Sequence, residues 1–92
     1  MINLYQKTWA EIDIEIANRM VQLRKRKKIS QRELAVRSGV SLGSVKRFEQ
    51  TGEISLRSFT KLAIALEVEG ELESLFREVP FESIEEVNGQ TK

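Results

Sequence analysis

Ninety-two residues, 40% hydrophobic and 32% charged, fit one small globular domain with short tails and exclude a fibrous or disordered chain. With neither Cys nor His, the chain has no means to build a disulfide framework, a thiolate or imidazole metal site, a Cys or Ser/His nucleophile, or a histidine pH switch. The net charge of +1 conceals a segregation: residues 19–61 hold 12 Lys/Arg against three Asp/Glu, between acidic ends, which points to a polyanion-binding face.

Helical periods dominate the chain order. Thr8 with Glu11 has capping-box spacing, and Ile12, Ile16, Met20 and Leu23 then form one amphipathic stripe. Ile12, Ile14 and Ile16 also alternate as a strand would, but only the 3.6-residue period continues to Leu23. The run Arg24 to Lys28 falls on the last turn, where cations suit the negative end of the helix dipole. Ser30 with Glu33 repeats the box spacing and opens a short second helix through Leu34, Ala35 and Arg37, stopped by Gly39. Ser41 caps a third helix with Val45 and Phe48 inward, broken at Gly52. Ser55 caps a fourth, whose stripe is Phe59, Leu62, Ala63 and Leu66. Gly70 separates this from a last turn or two, Glu71 to Arg77, with Leu72, Leu75 and Phe76 inward, and Pro80 ends helical geometry. The expected architecture is all-α: an N-terminal tail over 1–10, a five-helix domain over 11–78 and an acidic, frayed tail over 79–92.

The stretch SQRELAVRSGVSLGSVKRFEQ, Ser30 to Gln50, carries the function. Ala35 is small where a second helix must come close, Gly39 permits positive φ, and Val40 and Val45 are apolar where the turn must pack. A helix-turn-helix has these requirements, and its second helix projects outward.

From about Ile16 to Phe76, LRKRKKISQRELAVRSGVSLGSVKRFE and SLRSFTKLAIALEV stand in the order and spacing of a known family. The chain resembles the Cro/phage-repressor (XRE-type) helix-turn-helix regulators. The resemblance implies a compact lambda-repressor-like domain, in which the helix from Ser41 enters the DNA major groove. It also implies roles for particular residues. Gln31 stands where the family has a Gln that touches phosphate and braces the recognition helix. Ser41, Leu42, Gly43, Ser44, Lys46 and Arg47 occupy that helix's exposed side, and Ser55 and Arg57 match backbone contacts at a helix N-terminus. Arg24 and Glu49 match a partly buried bridge between helices one and three.

Two positions depart from the pattern. Leu42 and Gly43 stand where many relatives carry hydrogen-bonding residues, so discrimination leans on Arg47, Lys46 and Ser44 or on DNA shape. Gly43 also costs its helix about 1 kcal/mol relative to Ala, and both close backbone approach to DNA and local packing are admissible reasons for it. Ile54, Phe59, Leu62 and Leu66 are assigned to the core, and Leu72 and Phe76 to the core or a dimer surface. Whether Tyr5 and Trp9 cap the core or support a further contact stays open.

One helix-turn-helix covers few base pairs, so a homodimer on a palindromic operator is expected, acting as a repressor of transcription. The acidic C-terminal part, with Leu72, Leu75, Phe76, Val79 and Phe81, is the expected dimer surface, and Met1 to Trp9 is the second candidate. The run SVKRFEQTGEISLRSF and the chain length are also similar to HipB-type antitoxins, a resemblance that implies a toxin partner besides double-stranded DNA. The alternative is a protein-binding adaptor that keeps the helix-turn-helix as a scaffold; the basic side formed by Lys46, Arg47 and Arg57 argues against it. Enzyme activity is not expected, since the carboxylates cluster on an acidic segment without His or Cys, and no cofactor is expected either. The longest clearly apolar run, Leu62 to Leu66, is far short of a bilayer span. Met1 is not followed by a signal-peptide pattern, so the expected setting is cytoplasmic, away from membranes.

Overall fold

A computed structural model describes residues 6–78. Five helices follow one another: α1 (Trp9–Arg26), α2 (Gln31–Ser38), α3 (Leu42–Thr51), α4 (Leu56–Ala65) and α5 (Glu69–Glu73). The fold is the expected all-α one, and no strand occurs among the described residues. The dimer candidates Met1 to Tyr5, Val79 and Phe81 lie outside them.

Side-chain caps set four of the five helix starts. Thr8 and Glu11 close a reciprocal capping box on α1, and the hydroxyls of Ser30, Ser41 and Ser55 accept from the backbone N–H three residues on. The second expected box does not close. Glu33 turns its carboxylate to Arg37, its i+4 neighbour, instead of back to Ser30. Left-handed glycines, Gly39 (φ 75°) and Gly52 (φ 81°), stop α2 and α3.

Helix α1 packs on α3, α2 on both α3 and α4, and α5 on α4. Their shared core is Ala17, Met20, Ile29, Leu34, Val40, Val45, Phe48, Leu62, Ala63 and Leu66. Phe48 meets Phe59 edge-to-face, ring centroids 5.7 Å apart.

Expectations about the inner faces of α1 and α5 and about Gly70 are corrected, and the open question of Trp9 is decided. On α1 the buried residues are Ala17, Met20 and Arg24, with Ile14 against the core, while Ile12 is exposed. The close crossing of α1 lies at Asp13 and Ile14, against Gly52, so the turn holding Trp9 and Ile12 projects past it. Trp9 is exposed as well and does not cap the core. Ile16 faces a groove between α1 and α4, where two apolar hollows of about 210 and 300 Å³ share Ile16 and Phe59. At the other end Gly70 lies inside α5 and does not separate two helices. Leu75 and Phe76 turn outward, because the chain leaves helical geometry after Ser74 and Phe76 adopts a left-handed φ of 60°.

Candidate nucleic-acid interface

The turn between α2 and α3 is built from its own polar groups. The Ser38 hydroxyl donates to the Ala35 carbonyl (3.3 Å) and accepts from the Val40 N–H (3.1 Å), while Val40 plugs into the core. Beneath the turn an ion-pair network anchors α3. The Arg24 guanidinium donates through Nε to Glu49 Oε2 (2.7 Å) and through Nη2 to Oε1 (2.9 Å). Its Nη1 donates to the Ile29 carbonyl at 2.8 Å. Gln31 Nε2 adds a third donor to Glu49, at 2.8 Å from Oε1. The first residue of α2, the last part of α1 and the inner edge of α3 thus meet on one carboxylate. In a largely buried setting such a bidentate, fully satisfied pair holds geometry well.

The outer side of α3 follows from its register. Val45 and Phe48 are buried, so Gly43, Ser44, Lys46 and Arg47 face away and are exposed. Leu42 differs from expectation in being half-buried, which leaves only part of its side chain to meet a ligand. Ser41 is occupied as the cap: its hydroxyl accepts from the Ser44 N–H (3.1 Å) and donates to Ser44 Oγ (2.9 Å). Among the described residues, no heavy atom beyond its chain neighbours and its own helix backbone lies within 4 Å of a Cβ placed on Gly43, so no packing contact there calls for a glycine.

Helix α4 enters the same face by its N-terminus. Ser44 and Arg47 from α3, Glu53 and Ile54 from the connection, and Ser55 and Ser58 from α4 line one cleft of about 330 Å³. Ser55 is spent on capping, through the Ser58 N–H at 3.1 Å, so the uncapped N–H groups of Leu56 and Arg57 are the ones free to meet an anion. Arg57 and Lys46 are exposed, and among the described residues neither makes an ion pair. Gln31 is half-buried, and its side-chain amide is engaged with Glu49 of α3.

A family model described as helix-turn-helix matches residues 20–72, more than half of the chain. The chain belongs to the Cro/C1-type helix-turn-helix family. No curated protein and no solved structure matches it. In this helix-turn-helix protein the matched span runs from Met20 to Leu72 and takes in the bracing network, α2, the turn, α3 and α4. The family is one of DNA-binding transcription regulators. No helix of the described residues is long and apolar enough to cross a membrane.

Two residues of this face escaped the sequence reading. Gln50 is exposed at i+4 from Lys46 and i+3 from Arg47, on the same side of α3. That spacing was the signal, and an amide there can bond two points of an adenine edge. Glu53 places its carboxylate on the Arg47 guanidinium, Oε2 to Nη2 at 2.6 Å. Its signal was weaker: an opposite charge just past the glycine that ends the helix.

Proposed function

We infer that the protein is a transcriptional repressor that occupies a palindromic operator as a homodimer. One observation carries the reading: Ser44 and Arg47 of α3 and Ser55 and Ser58 at the N-terminus of α4 line a single cleft, with Lys46 and Arg57 exposed on the same two helices. A guanidinium at Arg47 suits a guanine edge, while Arg57 and the first N–H groups of α4 suit phosphate. Gly43, one turn before Arg47 and open on its outer side, lets the α3 backbone come close to the base edges. The exposed Leu75 and Phe76, on an acidic part of the chain that repels DNA, support the C-terminal part of the domain as the dimer surface.

The test is selection of bound duplexes from a random pool, which should recover a palindrome with half-sites about one turn apart. Arg47→Ala should remove about 1–3 kcal/mol of discrimination at one base pair of each half-site. Arg57→Ala should weaken all duplexes alike and lower the salt slope by about 0.9 per phosphate lost. Interchanged outcomes would reverse the two role assignments. The antitoxin form of this reading adds a toxin on a second face. It rests on the similarity of the run Ser44 to Phe59, and purification from the native host with a bound second protein tests it.

A further inference from the structure

Glu53 is an acid on a surface that has to meet a polyanion, and its position is closely controlled. Gly52 reverses the chain after α3 with φ 81°, returning Glu53 toward the helix it has just left. The Thr51 hydroxyl then ties the loop to Arg47 from both sides. It donates to the Arg47 carbonyl at 2.7 Å and accepts the Glu53 N–H at 3.1 Å. The Glu53 carboxylate closes the ring on Arg47 Nη2 at 2.6 Å. Both side chains stay exposed, 67% for Arg47 and 56% for Glu53, and both line the cleft between α3 and the α4 N-terminus.

A pair this exposed contributes little to folding, so its placement calls for another explanation. We propose that Glu53 is a specificity-determining positioning residue: it holds the Arg47 guanidinium in the base-reading orientation and opposes its transfer to phosphate. This rests on the DNA-binding reading above. A guanidinium has five N–H donors, and the bond to Glu53 uses one of them, leaving the rest free for a base edge. On a wrong sequence Arg47 would find its best partner in a phosphate. Swinging there abandons Glu53 as an unpaired carboxylate among phosphates, which like-charge repulsion opposes. On the right sequence the base edge is bound with the pair intact. Glu53 thus lowers affinity for DNA in general and lowers it most where the sequence is wrong.

The experiment compares wild type, Glu53→Gln, Arg47→Ala and the double variant. Each is measured on the duplex recovered from a random pool, on its single-base-pair variants and on random duplex across a salt series. Glu53→Gln should bind random duplex more tightly, with a salt slope steeper by about 0.9 as Arg47 takes up a phosphate. Its preference at the base pair read by Arg47 should fall about two- to fivefold, the range an exposed pair of this kind can supply. In the Arg47→Ala background the same change should leave base preference unaltered, a coupling that a merely electrostatic or structural role of Glu53 does not produce. If wild type selects a motif and Arg47→Ala relaxes it, but Glu53→Gln keeps the full preference, the role of Glu53 is overturned and DNA reading stands. Equal tightening of Glu53→Gln on all duplexes has the same meaning. If Arg47→Ala leaves the motif intact, Arg47 is not the reader and the proposal fails with it. A wild type with no salt-sensitive affinity for any duplex overturns the DNA-binding reading itself.

Discussion

Arg24 sits at the centre of a network that ties three other segments to α1. Glu49 brings α3, the Ile29 carbonyl brings the α1–α2 connection, and Gln31 reaches the same carboxylate from α2. Both side chains of the pair are only about 10% exposed. Removing one partner therefore leaves a nearly buried charge uncompensated, which costs about 3–5 kcal/mol. Arg24→Ala should lose that much stability in urea denaturation, whereas Arg37→Ala, whose pair with Glu33 is an exposed i,i+4 contact, should lose less than about 0.5 kcal/mol. A small loss on Arg24→Ala would mean that solvent enters the network and that α3 is aimed by packing alone. Because the network sits directly under α3, Arg24→Ala should also weaken binding to every duplex without changing which base pairs are preferred.

At the level of elements, the glycines separate structural from functional demands. Gly52 has a left-handed φ, and a Cβ there would lie 2.9 Å from the Asp13 carbonyl carbon and 3.0 Å from the Ile14 nitrogen, both backbone atoms of α1. Strain and overpacking add, so Gly52→Ala should cost about 2–4 kcal/mol. Gly43 is helical and open, so Gly43→Ala should stabilise the domain by about 0.5–1 kcal/mol, yet it should weaken DNA binding if the backbone approaches the groove there. Thermal melts and titration of the selected duplex check the opposite signs; a variant that is stabilised and binds as before leaves the close-approach role without support. Helix starts and these glycine stops were legible in the sequence because each is a local signal of one or two residues. The stops of α1 and α4 were not, since they turn through the left-handed residues Lys28 (φ 58°) and Glu67 (φ 61°), where no glycine announces them. Lys28 brings the chain round so that Ile29 enters the core, a placement no periodicity could show. The inner face of α1 was misread for a related reason. A stripe of isoleucines fixes a face but not what covers it, and here the covering helix is met at Ile14 and Ala17 while Ile12 runs beyond it and Ile16 faces the groove. Among the site residues, the motif placed Arg47, Lys46 and Arg57 on the exposed side, but pairings such as Arg47 with Glu53 depend on a loop path that sequence spacing does not fix.

Over the whole molecule, charge and apolar surface divide the work. The basic residues are concentrated in α1–α4, and the chain from Leu62 onward holds Arg77 and Lys92 against eight Glu. An acidic surface is repelled by DNA, so apolar residues exposed there are free to meet another protein, and Phe76 (82% exposed) and Leu75 (56%) are such residues. In a two-fold dimer each would be buried twice, once per protomer. Losing Phe76 from both copies then costs about 3–6 kcal/mol. Phe76→Glu should accordingly raise the dimer dissociation constant by roughly a hundredfold or more in sedimentation equilibrium, with the thermal midpoint of the dilute monomer unchanged because Phe76 supports no core. On DNA the same variant should lose the two-half-site complex and keep weak binding to a single half-site, since its α3–α4 face is intact. Trp9→Glu is the matching test of the opposite end, where Trp9 is 75% exposed at the start of α1. If Trp9→Glu dissociates the dimer and Phe76→Glu does not, the interface lies at the N-terminal end, and the acidic surface is left free for a different protein.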